Sequence, residues 1–149
     1  MILIKIVTSS DQPQVVPYDK KHWKLTADYT IEMVTDEGTY KFVLTAGWIT
    51  DFRSGSSLID VWVPKRGNRE YTASVLVHDA CYSGWVSKKV ADELLRQGMI
   101  LSGISKWKAN LAYKAVDVFG SSAYNDLDVK QKSPYTLNRI YEDFTLSDN

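Results

Sequence analysis

The chain has 149 residues, 44% hydrophobic and 24% charged, a length and composition that suit one domain with a real core, or a core with a trailing arm. Lys+Arg and Asp+Glu balance at 18 each, so no net field draws the chain to nucleic acid or to anionic lipid. A lone cysteine, Cys81, excludes an intrachain disulfide and fits a reducing compartment, and no run reaches the roughly 20 apolar residues of a membrane span.

The start, MILIKIVTSS, lacks a basic lead and a small-residue cleavage site; Ile2 to Val7 is expected to be a strand, not a signal peptide. Ser9 to Pro17 reads as a polar loop with two prolines. From His22 to Thr35 the residues alternate and are rich in β-branched and aromatic types, which predicts a strand with a break near Ala27 and Asp28. Asp36-Glu37-Gly38 is a turn signal and Thr39 to Leu44 a returning strand, so Tyr29 to Leu44 should be a hairpin. Ala46 to Thr50 offers another short strand. Asp51 to Ser57 is a small, polar, Gly-containing loop, Val61 to Pro64 an apolar connecting segment, and Lys65 to Glu70 a charged turn.

Tyr71 to Tyr82, YTASVLVHDACY, has helical length and places Val75, His78, Asp79 and Tyr82 on one face. Ser87 is a good N-cap for a second helix, Lys88 to about Leu101, with Val90, Ala91, Leu94, Leu95 and Met99 as its apolar arc and Asp92 at the edge of that arc. That aspartate either points into a cleft between helices or is solvated in the first turn. Ser102-Gly103 should break the helix. Ser105 caps a third, Lys106 to Phe119, with Trp107, Leu111, Ala115 and Val118 or Phe119 as its stripe and Gly120 as its C-cap. The resulting class is α+β: an N-terminal antiparallel hairpin and meander, then three helices. Residues 1–120 form one domain, with a β-rich part over 1–50, a loop over 51–70 and a helical part over 71–120. Residues 121–149 read as an extended C-terminal arm.

Four side chains carry the candidate chemistry: Asp51, His78, Asp79 and Asp92. An imidazole with a near-neutral pKa is a natural general base for water, and a carboxylate from another element can fix its tautomer. Further carboxylates beside loop carbonyls, such as those around Gly55, suit a hard cation like calcium. Zinc would want more imidazole or thiolate ligands, and the only other histidine is His22. Cys81 at i+3 from His78 reads as a small core residue rather than a nucleophile. No phosphate-binding glycine loop is present. Against all of this stands a plain alternative, a buried histidine satisfied by hydrogen bonds.

The series TDFRS (Thr50 to Ser54), VLVHDACY (Val75 to Tyr82), ADELLRQGM (Ala91 to Met99) and AYKAVDVFG (Ala112 to Gly120) resembles a family of uncharacterised phage and prophage proteins. The likeness spans about residues 46 to 120. Ser56 stands where that family often has proline. The same series is similar to the helical catalytic region of secreted phospholipase A2, above all its bacterial and fungal branch. That resemblance implies His78 as general base, Asp92 as the residue orienting it, Asp79 and Asp51 as calcium ligands, and Tyr82 as a structural support; Ser54, in the TDFRS series, is expected to be a further structural support. This chain departs from the phospholipases in having no disulfides, a shorter gap from His78 to Asp92, an extra N-terminal β half, and Arg53 beside Asp51.

Two expectations from different classes follow. One is a phage- or prophage-encoded, phospholipase A2-like ester hydrolase, calcium-assisted, acting on a lipid or ester. The other is a non-enzymatic virion or assembly protein, in which the His-Asp pair is a structural polar network and the C-terminal arm docks neighbouring subunits. A host-directed binding protein is a third. The chain is expected to be made in a bacterial host's cytoplasm, with incorporation in a virion under the second reading. The hydrolase reading requires the imidazole and the acids to meet in a hollow open to water.

Overall fold

The computed structural model describes residues 1–20, 22–50, 68–81 and 86–119. Antiparallel strands in two small sheets precede three helices, an α+β order. The first sheet has the order β1-β4-β5, from β1 (Leu3–Thr8), β4 (Tyr29–Thr35) and β5 (Gly38–Leu44). The second has the order β2-β3-β6, from β2 (Val15–Pro17), β3 (Trp23–Leu25) and β6 (Ile49–Thr50).

The hairpin forms as its pattern predicts, with Tyr29 opposite Leu44 and Thr35 opposite Gly38. Alternate residues Tyr29, Ile31, Met33 and Thr35 face the core, met by Tyr40, Phe42 and Leu44 from the partner strand. Gly38 closes the turn at φ 141°, a backbone setting that side chains disfavour. The break near Ala27 and Asp28 is real: β3 ends at Leu25 and β4 begins at Tyr29. Asp28 accepts from the Ala46 N–H at 2.8 Å, fastening that break to the end of β5.

Two strand readings change. Val15–Pro17, taken from sequence as part of a loop, pairs with Trp23–Leu25; three residues are too few for alternation to register. In β1 the register shifts between Leu3 and Lys5. This irregularity turns Leu3 and Ile6 to the same buried side, whereas strict alternation would oppose them. Ile2 and Ile4 are consequently exposed.

The helices are α1 (Arg69–Cys81), α2 (Lys88–Leu101) and α3 (Lys106–Phe119). α1 starts two residues before the sequence suggested, because Asn68 caps it: its Oδ1 accepts from the Tyr71 N–H at 3.0 Å. Its Nδ2 also donates to the Ser102 carbonyl at 2.9 Å, tying the start of α1 to the end of α2. From Tyr71 to Cys81 every residue but Asp79 is buried, so α1 is wrapped on all sides. Ala73, Leu76, Val77 and Ala80 pack on the sheets, while Tyr71 and Val75 pack with Leu95, Met99, Ala109, Ala112 and Val116 from α2 and α3.

The stripe expected on α3 is displaced. Trp107 is 56% and Leu111 46% exposed, and the face turned inward is Ala109, Ala112 and Val116. These smaller side chains pack with the larger Tyr71, Val75, Leu95 and Met99 of the neighbouring helices. The side chains at 118 and 119, and Gly120, lie outside the described residues, as do the predicted loop at 51–57, the segment at 61–64 and the arm at 121–149. Ser87 caps α2 as expected, accepting from the Val90 N–H at 3.3 Å, and Gly103 follows the helix with φ 102°.

α1 and α2 cross closely at Gly98. A Cβ built there would stand 1.9 Å from Oγ and 2.7 Å from Cβ of Ser74. Gly98→Ala should therefore destabilise the protein by about 1–3 kcal/mol, overpacking outweighing a helix-propensity gain of about 1 kcal/mol. The Ser74 Oγ could rotate away, but its Cβ cannot. A lowered denaturant midpoint in Gly98→Ala, partly restored by adding Ser74→Gly, is the expected result.

Candidate active site

His78 lies in the last turns of α1 and Asp92 in the second turn of α2. The capped start of α2 sets its rotation, bringing Asp92 round to the α1 side with Ala91, Leu94 and Leu95. His78 Nε2 and Asp92 Oδ1 are 2.8 Å apart, a hydrogen bond across 14 residues of chain. An ionised carboxylate only accepts, so with Asp92 ionised the proton of this hydrogen bond is carried by Nε2. Both side chains are 2% exposed. The pair meets as the sequence suggested, with both side chains almost wholly buried.

A third group completes the arrangement. Lys88, one turn before Asp92, places its Nζ 2.6 Å from Asp92 Oδ2. The same ammonium donates to the carbonyls of Val116 at 3.1 Å and Asp117 at 3.4 Å, on the last turn of α3. The Asp117 carboxylate, exposed, lies 3.8 Å away. Burying a carboxylate is costly unless it is paired and hydrogen-bonded, and Asp92 has both forms of compensation.

Asp79, next to His78, is half-buried and points toward the second sheet. The Thr50 hydroxyl donates to its Oδ2 at 2.8 Å. Asp51, which follows Thr50 in the chain, lies outside the described residues, as do Ser54 and Tyr82. Among the described residues no group of three or more His, Cys, Asp or Glu side chains is placed to hold a metal. Cys81 is buried in the main core, in keeping with its reading as a packing residue. His22 stands apart, its Nδ1 2.7 Å from Asp19 Oδ1.

A family model described as a protein of unknown function (DUF1353) matches residues 23–116. The chain belongs to the DUF1353 family. No curated protein and no solved structure matches the chain. The DUF1353 segment runs from β3 into α3, so His78, Asp79, Lys88 and Asp92 all fall inside it, while β1 and β2 precede it.

Sequence reasoning named His78, Asp79 and Asp92 but missed Lys88 and Thr50. Lys88 had a signal: it stands four residues before Asp92, the spacing at which helical side chains of opposite charge meet. A lysine just after an N-cap reads as solvated, and nothing local announces the α3 carbonyls that hold it. Thr50 gave no signal, since its partner is 29 residues away.

Proposed function

We propose that this DUF1353 protein is a small ester hydrolase that activates water through a His-Asp dyad in the manner of phospholipase A2. What carries the reading is one contact: the 2.8 Å hydrogen bond from His78 Nε2 to Asp92, made between adjacent helices in the roles the phospholipase resemblance assigns. In this reading Nδ1 of His78 takes a proton from water as the water oxygen attacks the ester carbonyl. Asp92 stabilises the imidazolium that forms. The proton then passes from Nδ1 to the departing alkoxide as the ester C–O bond breaks. Calcium assistance through Asp79 and Asp51 belongs to the same reading, and no step above depends on it. Lipid or another ester is the substrate class, and a phage or prophage origin, with synthesis in the host cytoplasm, is the setting.

The test is turnover of a short-chain phosphatidylcholine and of a nitrophenyl ester by the intact chain, with and without calcium. No turnover of either would end the hydrolase reading. Calcium is expected to raise the melting temperature, by about 3 kcal/mol of added stability at a hundredfold excess over its Kd. Asp79→Asn should abolish that rise. A rise that survives the substitution would remove Asp79 from the calcium site.

A second reading is favoured by the burial of the dyad. Side chains 2% exposed are well placed to be a polar network that fixes the angle between α1 and α2. The protein would then be a virion or assembly component, with residues 121–149 as its docking arm. Removing that arm should impair assembly and leave esterase assays blank in both forms.

A further inference from the structure

We propose that Lys88 is the positioning residue of the dyad: its ammonium fixes the plane of the Asp92 carboxylate and supplies the charge that lets Asp92 stay ionised beside a neutral imidazole. The proposal rests on the hydrolase reading for its kinetic consequences, though its geometry stands alone.

Asp92 is held at both oxygens. Oδ1 faces His78 Nε2 at 2.8 Å and Oδ2 faces Lys88 Nζ at 2.6 Å. Two donors on opposite oxygens stop the carboxylate from turning about its Cβ–Cγ bond, which sets the ring it accepts from. The charge count points the same way. A buried carboxylate is tolerated poorly unless charge and hydrogen-bond donors are brought to it. Lys88, 17% exposed at its side chain, supplies the compensating charge from the rim.

The ammonium is itself anchored. It has three N–H donors, and three acceptors surround it: Asp92 Oδ2, the Val116 carbonyl and the Asp117 carbonyl. Both carbonyls lie toward the C-terminal side of α3 (Lys106–Phe119), the side on which the helix dipole favours a cation. Lys88 is thus a post fixed in the end of α3 that steadies the dyad from behind. Were it only a cap for α3, the 2.6 Å contact with Asp92 would be incidental, and its removal would cost stability alone.

The test compares Lys88→Met and Lys88→Arg in the full chain. Two readouts are taken: steady-state kinetics on the short-chain phospholipid, and the imidazole Nε2–H resonance of His78 by NMR. Lys88→Met should lower kcat about tenfold or more, as small misplacements of catalytic groups do, with KM little changed. The Nε2–H resonance should move upfield or vanish into exchange. Lys88→Arg keeps charge and donors and should restore both readouts toward wild type. If the methionine variant does not fold, Lys88→Gln, which keeps length and polarity without charge, takes its place.

A variant without the charge that keeps wild-type kcat and an unmoved resonance overturns the proposal, whatever its stability. So does an arginine variant as impaired as the methionine one. If the wild-type chain turns over neither ester, the hydrolase reading fails and the resonance alone decides: movement in Lys88→Met upholds the positioning role, and an unchanged signal overturns it.

Discussion

Replacing His78 by glutamine is expected to lower turnover of a short-chain phospholipid by about 10²–10⁴-fold, the usual contribution of a positioned general base, while the chain stays folded. Glutamine is the informative choice because His78 is enclosed. Alanine would leave a hole in a side chain's place and mix a loss of stability into the rate. The glutamine amide can still donate to Asp92 Oδ1, as Nε2 does at 2.8 Å, so the buried carboxylate keeps a donor. What the amide lacks is a nitrogen that can take a proton from water. Kinetics with thermal unfolding of the same sample check this. A glutamine variant as active as wild type would remove His78 from the chemistry. Under the network reading the wild type is inert, and the substitution is tolerated for the same steric reason.

Asp92→Asn should be the most damaging single change to stability, at about 3 kcal/mol, the lower end of the range for breaking a buried ion pair. The lower end applies because Lys88 is not sealed in. It keeps two carbonyl acceptors and has the exposed Asp117 carboxylate 3.8 Å away. The asparagine amide must also turn its NH₂ toward one side, so that either His78 switches to the tautomer whose Nε2 accepts or the Lys88 ammonium is left facing a donor. Urea denaturation provides the measurement. Lys88→Met combined with Asp92→Asn should cost less than the sum of the two, because the second removal no longer strands a charge. Strict additivity would mean that the 2.6 Å contact contributes nothing in solution.

Much of the framework was legible because local signals agreed with one another. Alternation over Tyr29 to Leu44 around Asp36-Glu37-Gly38 gave the hairpin, and Ser87 and Ser102-Gly103 bracketed α2 closely. Where single residues decided the outcome, periodicity was too coarse. Asn68 moved the start of α1, and the irregularity in β1 reversed the faces of Ile2 and Ile4. On α3 the wheel favoured the largest apolar residues, Trp107 and Leu111, yet the bundle admitted alanines. Size is read easily from sequence, and the gap between helices is not.

The site followed the same division. His78 and Asp92 could be matched because each sits on a helix whose rotation its neighbours disclose. The enclosure of the pair could not be foreseen, since it depends on how several elements close around α1. Lys88 was visible as a spacing but not as a function, because its other partners come from a helix whose inward face was misread.

The enclosure of α1 also bears on how the molecule comes apart. One side of this helix completes the layer over the strands, and the other completes the layer shared with α2 and α3. Neither layer can lose it and survive, so heating should give a single calorimetric transition in which strands and helices are lost together. Backbone amides from Val75 to Val77 should be among the last to exchange with deuterated solvent, opening only when the whole fold does.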